Sequence, residues 1–471
     1  MKKFSSNVLI VFFTIILFSL GNSLEAQIKN KETFAKRRQI LMEKMDGGLA
    51  VFKSEENNSD FYYLTGFDEP EAAFILMPDA KEKYILFVRP KSPARTVWTG
   101  ELYGVEGAVK IFGAEKAYPL DQFDQVLRRY LRGKSKVYCS FENRWLIEKL
   151  IPMLSYPFSN RPRQVIDPRE YIHEMRLIKG PEEIELMRKA INITCDALIE
   201  AMKAAKPGMY EYDIEAIIEY IYRIQDSPRP GFPSIIGSGP NSTILHYEKN
   251  NRRTQDGDLV LMDVGAEYGF YTADVTRTIP VNGKFSKKQR EVYEVVLEAQ
   301  EQAINLTAPG VGLYEIHNRG IEVIKEGLYR LGLITDKDSK WQYRIWLMYN
   351  INHWLGLDVH DVGGRGPSDG KGRLLKPGMI FTVEPGIYIR EDALDFLSER
   401  LGRFAPGKEE LTEFVKKVRP AVQKYANIGI RIEDDILVTE DGYEVLSVKA
   451  PKNIKEIEKL MKKKSYLNKD N

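Results

Sequence analysis

Five residues in the second half of the chain, Asp263, Asp274, His353, Glu384 and Glu433, bring together four carboxylates and one imidazole, and most lie inside apolar stretches. Asp263 and Asp274 belong to LVLMDVGAEYGFYTADVTRTIP (259–280), which reads as two strands joined by a two-residue hairpin at Tyr268-Gly269. That turn would set the two aspartates directly opposite one another, roughly 5 Å apart at Cβ, where like charges repel unless a cation compensates them. Taken alone, the pair is equally well explained as two unrelated acids on a solvated hairpin face. Glu384 closes the strand-like MIFTVEPGIYI on the face of Ile380 and Thr382. Glu433 lies in IGIRIEDDILVT with Arg431 and Asp435 on one face and Ile428, Ile430 and Ile432 on the other. Acids in such runs are costly to bury unless paired or neutralised, and an arginine partner would explain Glu433 by itself. His353 and His360 fall seven apart in NHWLGLDVHD, two of only five histidines, and Gly356 and Gly363-Gly364 imply tight backbone approaches there instead of a helix. An isolated histidine is more often a hydrogen-bonded core or surface residue than a ligand. Considered jointly, four carboxylates and an imidazole suit two neighbouring octahedral divalent ions such as Mn²⁺, Mg²⁺ or Co²⁺ and are too oxygen-rich for a structural zinc site. Two such ions about 3.5–4 Å apart polarise a carbonyl and activate water, which is hydrolytic chemistry.

The rest of the chain must position these groups. With 471 residues it is long for a single core, and two domains are expected. Hydrophobic content of 43% and charged content of 29% are those of a globular protein, and 69 basic against 67 acidic residues indicate neither nucleic acid nor a membrane surface as partner. Lys2 and Lys3 precede an apolar run from Val8 to Leu20 and a small, polar region ending near Ala26, the layout of a secretory signal peptide cleaved before Gln27. The run is short for a spanning helix, and the expected product is an exported protein, periplasmic or extracellular. Cys139 and Cys195 are expected as buried thiols in different domains.

The segment 27–167 reads as an alternating α/β domain. It opens with an amphipathic helix over 30–45 and the strand 49–53. Aromatic strands follow in SDFYYLTGFDEPEAAFILMP, then the strand 83–88, helices near 121–132 and 145–154 with VYCS between them, and a proline-rich linker over 157–168. The segment 168–471 opens with helices over 181–206 and 211–224, delivers His246 at the end of a strand, and after the acidic hairpin continues with helices over 286–306 and 313–332. Two helix pairs, each followed by strands rich in glycine and acid, suggest a duplicated α+β half-unit.

In this order the motifs DVG with TADVTRT, HWLGLDVHD, VEPGIYI and GIRIEDDILVT resemble the pita-bread metallopeptidase family that contains methionine aminopeptidase, prolidase and aminopeptidase P. The resemblance spans nearly the whole mature chain, and SDFYYLTGFDEPEA looks like the amino-terminal domain of bacterial aminopeptidase P. It implies an α+β fold with a C-terminal pita-bread catalytic domain after a smaller α/β domain. It also implies two divalent ions per subunit, manganese first, with cobalt or zinc as alternatives. Asp263 would chelate one ion, Asp274 and Glu433 would bridge both, and His353 with Glu384 would complete the second; Glu384 would also move a proton to the leaving amine. His246 and His360 match histidines that hold the scissile carbonyl and the developing oxyanion, Arg431 an arginine beside the site, and Phe232 an aromatic wall. Trp98 matches a tryptophan that reaches a neighbouring subunit's site, so a homodimer or homotetramer is implied. Two departures stand out: Tyr349 occupies a position where bacterial aminopeptidase P carries histidine, and a charged, helical insertion runs from Asp392 to Lys424. The insertion reads equally as a reshaped entrance or a surface decoration.

The activity this implies is removal of the first residue from peptides whose second residue is proline. An Xaa-Pro bond is a tertiary amide without an N–H, which a recessed site with an apolar proline wall suits. The alternatives are a prolidase restricted to dipeptides, which shares every ligand, and a non-catalytic peptide-binding module on the same fold, which retention of all five ligands disfavours.

Overall fold

The computed structural model describes residues 31–55, 59–155 and 160–467, so the expected signal peptide lies outside the described residues. The chain divides into two compact units between Met175 and Arg176.

The first unit begins with a helix over 31–44, α1, then β1 (Leu49–Lys53), α2 (Ser59–Thr65), β2 (Ala73–Leu76), β3 (Tyr84–Val88), α3 (Pro93–Thr99), α4 (Gly104–Lys110), β4 (Lys116–Pro119), α5 (Phe123–Tyr130), β5 (Lys136–Tyr138), α6 (Arg144–Leu154) and β6 (Gln164–Ile166). Its sheet runs β4-β3-β2-β1-β5-β6. The β1–β2–β3 pairs are antiparallel and the outer pairs parallel. Leu49, Val51, Ile75, Phe87, Leu127 and Leu146 build its core. Two expectations fail here. SDFYYLT, expected as a strand, is the helix α2: its buried positions Phe61, Leu64 and Thr65 recur at helical spacing, and the Thr65 hydroxyl donates to Phe61 O at 2.7 Å. Burial of that stripe overrides the β preference of its aromatic residues. The stretch expected as a linker contributes β6, an exposed edge strand whose side chains carry no apolar alternation to announce it.

After α7 (Arg169–Leu177), the second unit carries α8 (Pro181–Ala204), α9 (Glu211–Ile224), β7 (Ile235–Ser238), β8 (Leu259–Val264), β9 (Glu267–Tyr268), β10 (Tyr271–Thr272), β11 (Val275–Pro280), α10 (Lys287–Asn305) and α11 (Leu313–Arg330). It continues with β12 (Ile380–Val383), β13 (Gly386–Ile389), α12 (Leu397–Leu401), α13 (Lys408–Tyr425), β14 (Ile428–Arg431), β15 (Asp434–Val438), β16 (Tyr443–Val445) and α14 (Ile454–Leu460). Helix starts follow local chemistry. Ser286 and Gln289 cap α10 reciprocally, the Ser286 N–H donating to the Gln289 side chain at 2.8 Å, and at α8 Pro181 stands in the first turn while the Gly180 N–H donates to Glu183 at 2.9 Å. Each helix pair, α8/α9 and α10/α11, is followed by a three-stranded sheet, β11-β8-β7 and β12-β15-β16 respectively. The helices' apolar stripes, Met187, Ile191 and Leu198 on α8 and Val292, Val296 and Ala303 on α10, share one core with Val260, Met262, Phe381 and Ile436 from the sheets. Cys139 and Cys195 are free and buried in separate units, and burial pushes both thiols up to about 12, so both are inert.

The insertion is part of this core. Phe414, Val418, Val422 and Tyr425 of α13 are buried in it, and the Phe414 ring meets Trp341 edge-on at 4.8 Å. Truncating Phe414→Ala should therefore cost about 3–5 kcal/mol of unfolding free energy, read from urea denaturation. A loss under about 1 kcal/mol would mark the helix as decoration.

Candidate active site

The acidic hairpin turns two residues later in register than its sequence suggests. β8 and β11 pair Asp263 with Thr276 and Val264 with Val275, and the two-residue loop is Gly269-Phe270, both with positive φ (58° and 70°). Asp263 and Asp274 are thus diagonal and not directly opposite. A slip of two residues keeps both on the same face, so the site survives the correction. The second acidic pair is more direct. β12 pairs Thr382 with Asp435 and β13 pairs Gly386 with Arg431; extending either register places Glu384 opposite Glu433. Both glutamates sit where this long antiparallel ribbon is interrupted. IGIRIEDDILVT is therefore two strands, β14 and β15, not one, and every residue of both is buried: Ile428, Ile430 and Ile432 join the apolar core, while Arg431 and Glu433 line a cavity. The ribbon is stitched to β11: Thr278 Oγ1 donates to Arg431 O at 3.0 Å and the Glu433 N–H to Thr276 O at 3.1 Å. This seam carries the glutamates to the aspartates.

One cavity of about 460 Å³ is lined by all five expected ligands together with His246, His360, Arg431, Phe232 and Tyr349. Trp98 does not line it; it stands 86% exposed on α3 of the first unit. Single ligand atoms of Asp274, His353 and Glu433 lie within 4.8 Å of one another. His353 Nε2 lies 3.3 Å from Asp274 Oδ2, 3.5 Å from Glu384 Oε1 and 4.0 Å from Glu433 Oε1. Its Nδ1 lies 3.0 Å from Trp354 O, and a carbonyl can only accept, so Nδ1 carries the proton and Nε2 offers a lone pair to the carboxylates. A lone pair facing three acidic groups fits a shared cation.

The remaining hydrogen bonds leave room for one. Arg431 is spent on the far side: its guanidinium donates to Asp263 Oδ2, to Tyr388 OH at 2.8 Å and to Thr276 Oγ1 at 3.1 Å. Burial disfavours that guanidinium charge, but Asp263 more than offsets it. The Thr276 hydroxyl passes a hydrogen bond to Glu433 Oε2 at 2.7 Å. Among the described residues, the buried oxygens Oδ1 of Asp263 and of Asp274 nevertheless have no hydrogen-bond partner. Burial, reinforced by neighbouring carboxylates, drives Asp274 and Glu433 well above the usual carboxylate range, and burial drives Glu384 up to about 7. A divalent cation bound to these oxygens would relieve both conditions.

Loops supply the rest. His246, expected at a strand end, sits in a turn after the short 3₁₀ helix Gly239–Thr243, because Gly239 (φ 52°) and Pro240 end β7. His360 packs its ring against His353 at 4.4 Å between centroids, and burial lowers it to about 4, so it is neutral at physiological pH. The loop bearing both is clamped at Asp361, which accepts from Arg176 at 2.6 Å and Lys179 at 2.9 Å and whose N–H closes onto Trp354 O at 2.9 Å. Tyr349 donates to Glu384 O and shares a hydrogen bond with Tyr388 OH, each at 2.9 Å. Sequence reasoning missed Tyr388, Thr276, Asn352 and Arg365. The last lines the cavity and donates to Asn352 O at 2.6 Å. Tyr388 and Thr276 sit in the quoted motifs and could have been found as polar residues beside ligands; Arg365 lies in a glycine-rich loop with no such signal.

This fold and site define a metallopeptidase: residues 185–440 match Metallopeptidase family M24, and the chain belongs to that family. Residues 34–138 match the aminopeptidase P, N-terminal domain. Among curated relatives, the Xaa-Pro aminopeptidase of Haemophilus influenzae is 39% identical over 92% of this chain and 97% of its own length, and that of Escherichia coli is 37% identical over 92% and 98%. A solved structure of Pseudomonas aeruginosa aminopeptidase PepP superposes with TM-score 0.82 at 36% identity, and a zinc-substituted Escherichia coli aminopeptidase P in complex with product with TM-score 0.81 at 37% identity; each comparison covers 92% of this chain and 98% of the other.

The raised acids set a pH signature for the metal-free protein. A carboxyl whose folded pKa lies above its unfolded value stabilises the fold below the unfolded pKa and loses that contribution as pH rises through the folded one. Chelated protein should accordingly melt at a lower temperature at pH 8 than at pH 5, with the Glu384 share of the loss falling between its unfolded value and about 7. Adding a divalent ion should remove most of the difference, as thermal denaturation will show.

Proposed function

We propose that this protein is a metal-dependent exopeptidase that releases the N-terminal residue from peptides with proline in second position. The observation carrying this reading is the single cavity in which five metal-binding groups meet two further histidines and an apolar wall of Phe232, Pro233, Ile235 and Leu245. A closed apolar wall suits the proline ring, which offers no N–H for strand-like recognition. Relatives that match along nearly the full length of both chains are named for this activity.

Asp263, Asp274, His353, Glu384 and Glu433 would hold two divalent ions, manganese by preference. Such a pair, when bound, polarises a carbonyl and makes water acidic enough to attack near neutral pH. Glu384, which lines the cavity beside the other acids, would accept and release a proton within the cycle. His360, neutral, donates a hydrogen bond through one ring nitrogen to the scissile carbonyl region, and His246 faces it from the other loop. Arg431 holds Asp263 in orientation.

The wider reading extends to the whole chain. Export is supported by the residues ahead of Gln27, and a small domain over 27–167 before a catalytic domain over 168–471 by the family matches that fall on either side of that boundary. Among the described residues no helix is long and apolar enough to cross a membrane. An exposed Trp98 supports assembly into a homodimer or homotetramer.

The test is N-terminal residue release from an Xaa-Pro-Xaa tripeptide and an Xaa-Pro dipeptide, before and after chelation and with manganese restored. Activity on the tripeptide should vanish on chelation and return with metal, and Glu384→Gln should lower kcat by about 10²–10⁴-fold. Cleavage of dipeptides alone would make the protein a prolidase; unchanged turnover in the variant would strip Glu384 of its role.

A further inference from the structure

His246 lines the peptide cavity, yet among the described residues its ring makes no hydrogen bond, and it projects from an irregular turn. Something other than its own contacts must fix it. The candidate is Glu211, the first residue of α9, whose side chain is wholly buried and remote in sequence from every motif of the site.

Glu211 collects donors from both ends of the segment that bears His246. Oε1 accepts from the Ser238 N–H and the Ser238 hydroxyl, each at 2.7 Å, and from Asn241 Nδ2 at 3.1 Å. Oε2 accepts from the Tyr247 hydroxyl and the Arg252 N–H, each at 2.8 Å. Tyr247 directly follows His246, so one of these bonds pulls the neighbouring side chain inward and turns the histidine out. A buried carboxyl group with this many donors has both oxygens engaged and is held in one orientation. The segment is also pressed onto the site ribbon: the Gly429 N–H donates to Ser242 Oγ at 3.0 Å, and a Cβ at Gly429 would fall 2.0 Å from Ser242 O.

We propose that Glu211 is the positioning residue for His246, acting through Tyr247 and the 238–252 backbone. The inference rests on the substrate-binding role given to His246 above. A double-mutant cycle tests it, because residues acting as one unit are non-additive while a general loss of packing is not. E211Q should lower kcat/KM on the Xaa-Pro-Xaa tripeptide by about 10- to 100-fold in the wild-type background. It should cost under about twofold more in H246A and keep its full cost in H360A, with metal content unchanged throughout. Where E211Q does not fold, Y247F carries the same comparison in the three backgrounds. The same fold-loss in H246A as in wild type overturns the inference while leaving the proposed function intact. If H246A alone costs nothing, the role of His246 falls and the inference with it.

Discussion

Four carboxylates buried around one imidazole repel each other, and the geometry of the catalytic unit is arranged so that they cannot move apart. Asp263 and Asp274 are fixed by the β8–β11 ladder, Glu384 and Glu433 by the interrupted ribbon formed from β12 to β15, and Thr276 and Thr278 sew the two together. Two arginines border this charge: Arg431 is bound to Asp263, and Arg365 is engaged by Asn352. The fold thus holds in place an excess of negative charge that a divalent cation would make good, and among the described residues one buried oxygen each of Asp263 and Asp274 has no hydrogen-bond partner.

A second layer of buried ion pairs keeps that frame rigid without competing for the metal. Arg277, wholly buried, binds Asp434 at 2.6 Å and Glu433 O at 2.6 Å, and Lys452 joins Asp434 at 2.7 Å. These cations more than offset burial and hold Asp434 far below the ordinary carboxylate range, whereas burial leaves its neighbour Asp435 well above it. Asp435 accepts the Asp274 N–H at 3.2 Å and so backs a ligand. Adjacent acids in EDD therefore have different tasks, set by which side of the strand each side chain reaches.

Much of this was legible in the chain. The helices of the second unit, and the segments that bring Asp263, Asp274, His353, Glu384 and Glu433 to one cavity, follow from periodicity and from acids set in apolar runs. What failed did so for local reasons. Placing the turn one residue early at Tyr268-Gly269 shifted the hairpin register by two, because both Gly269 and Phe270 adopt positive φ and sequence favours only the glycine there. The break at Ile432-Glu433 could not be read from alternation, since both faces of the ribbon are buried. The turn at His246 and the role of Glu211 depend on contacts between residues far apart in sequence, and α2 was disguised by aromatic residues that favour strands.

The insertion shows how such a site tolerates added chain. Ile389 and Ile428 are paired across the ribbon, and the Asn427 N–H donates to Ile389 O at 2.7 Å, so the 390–427 excursion departs and returns at one point on the end of a ladder. Whatever length is spliced there, strand registry toward Glu384 and Glu433 is set by the rungs below it. The spacing of Glu384 and Glu433 is thereby insulated from the length of chain carried at the hairpin tip.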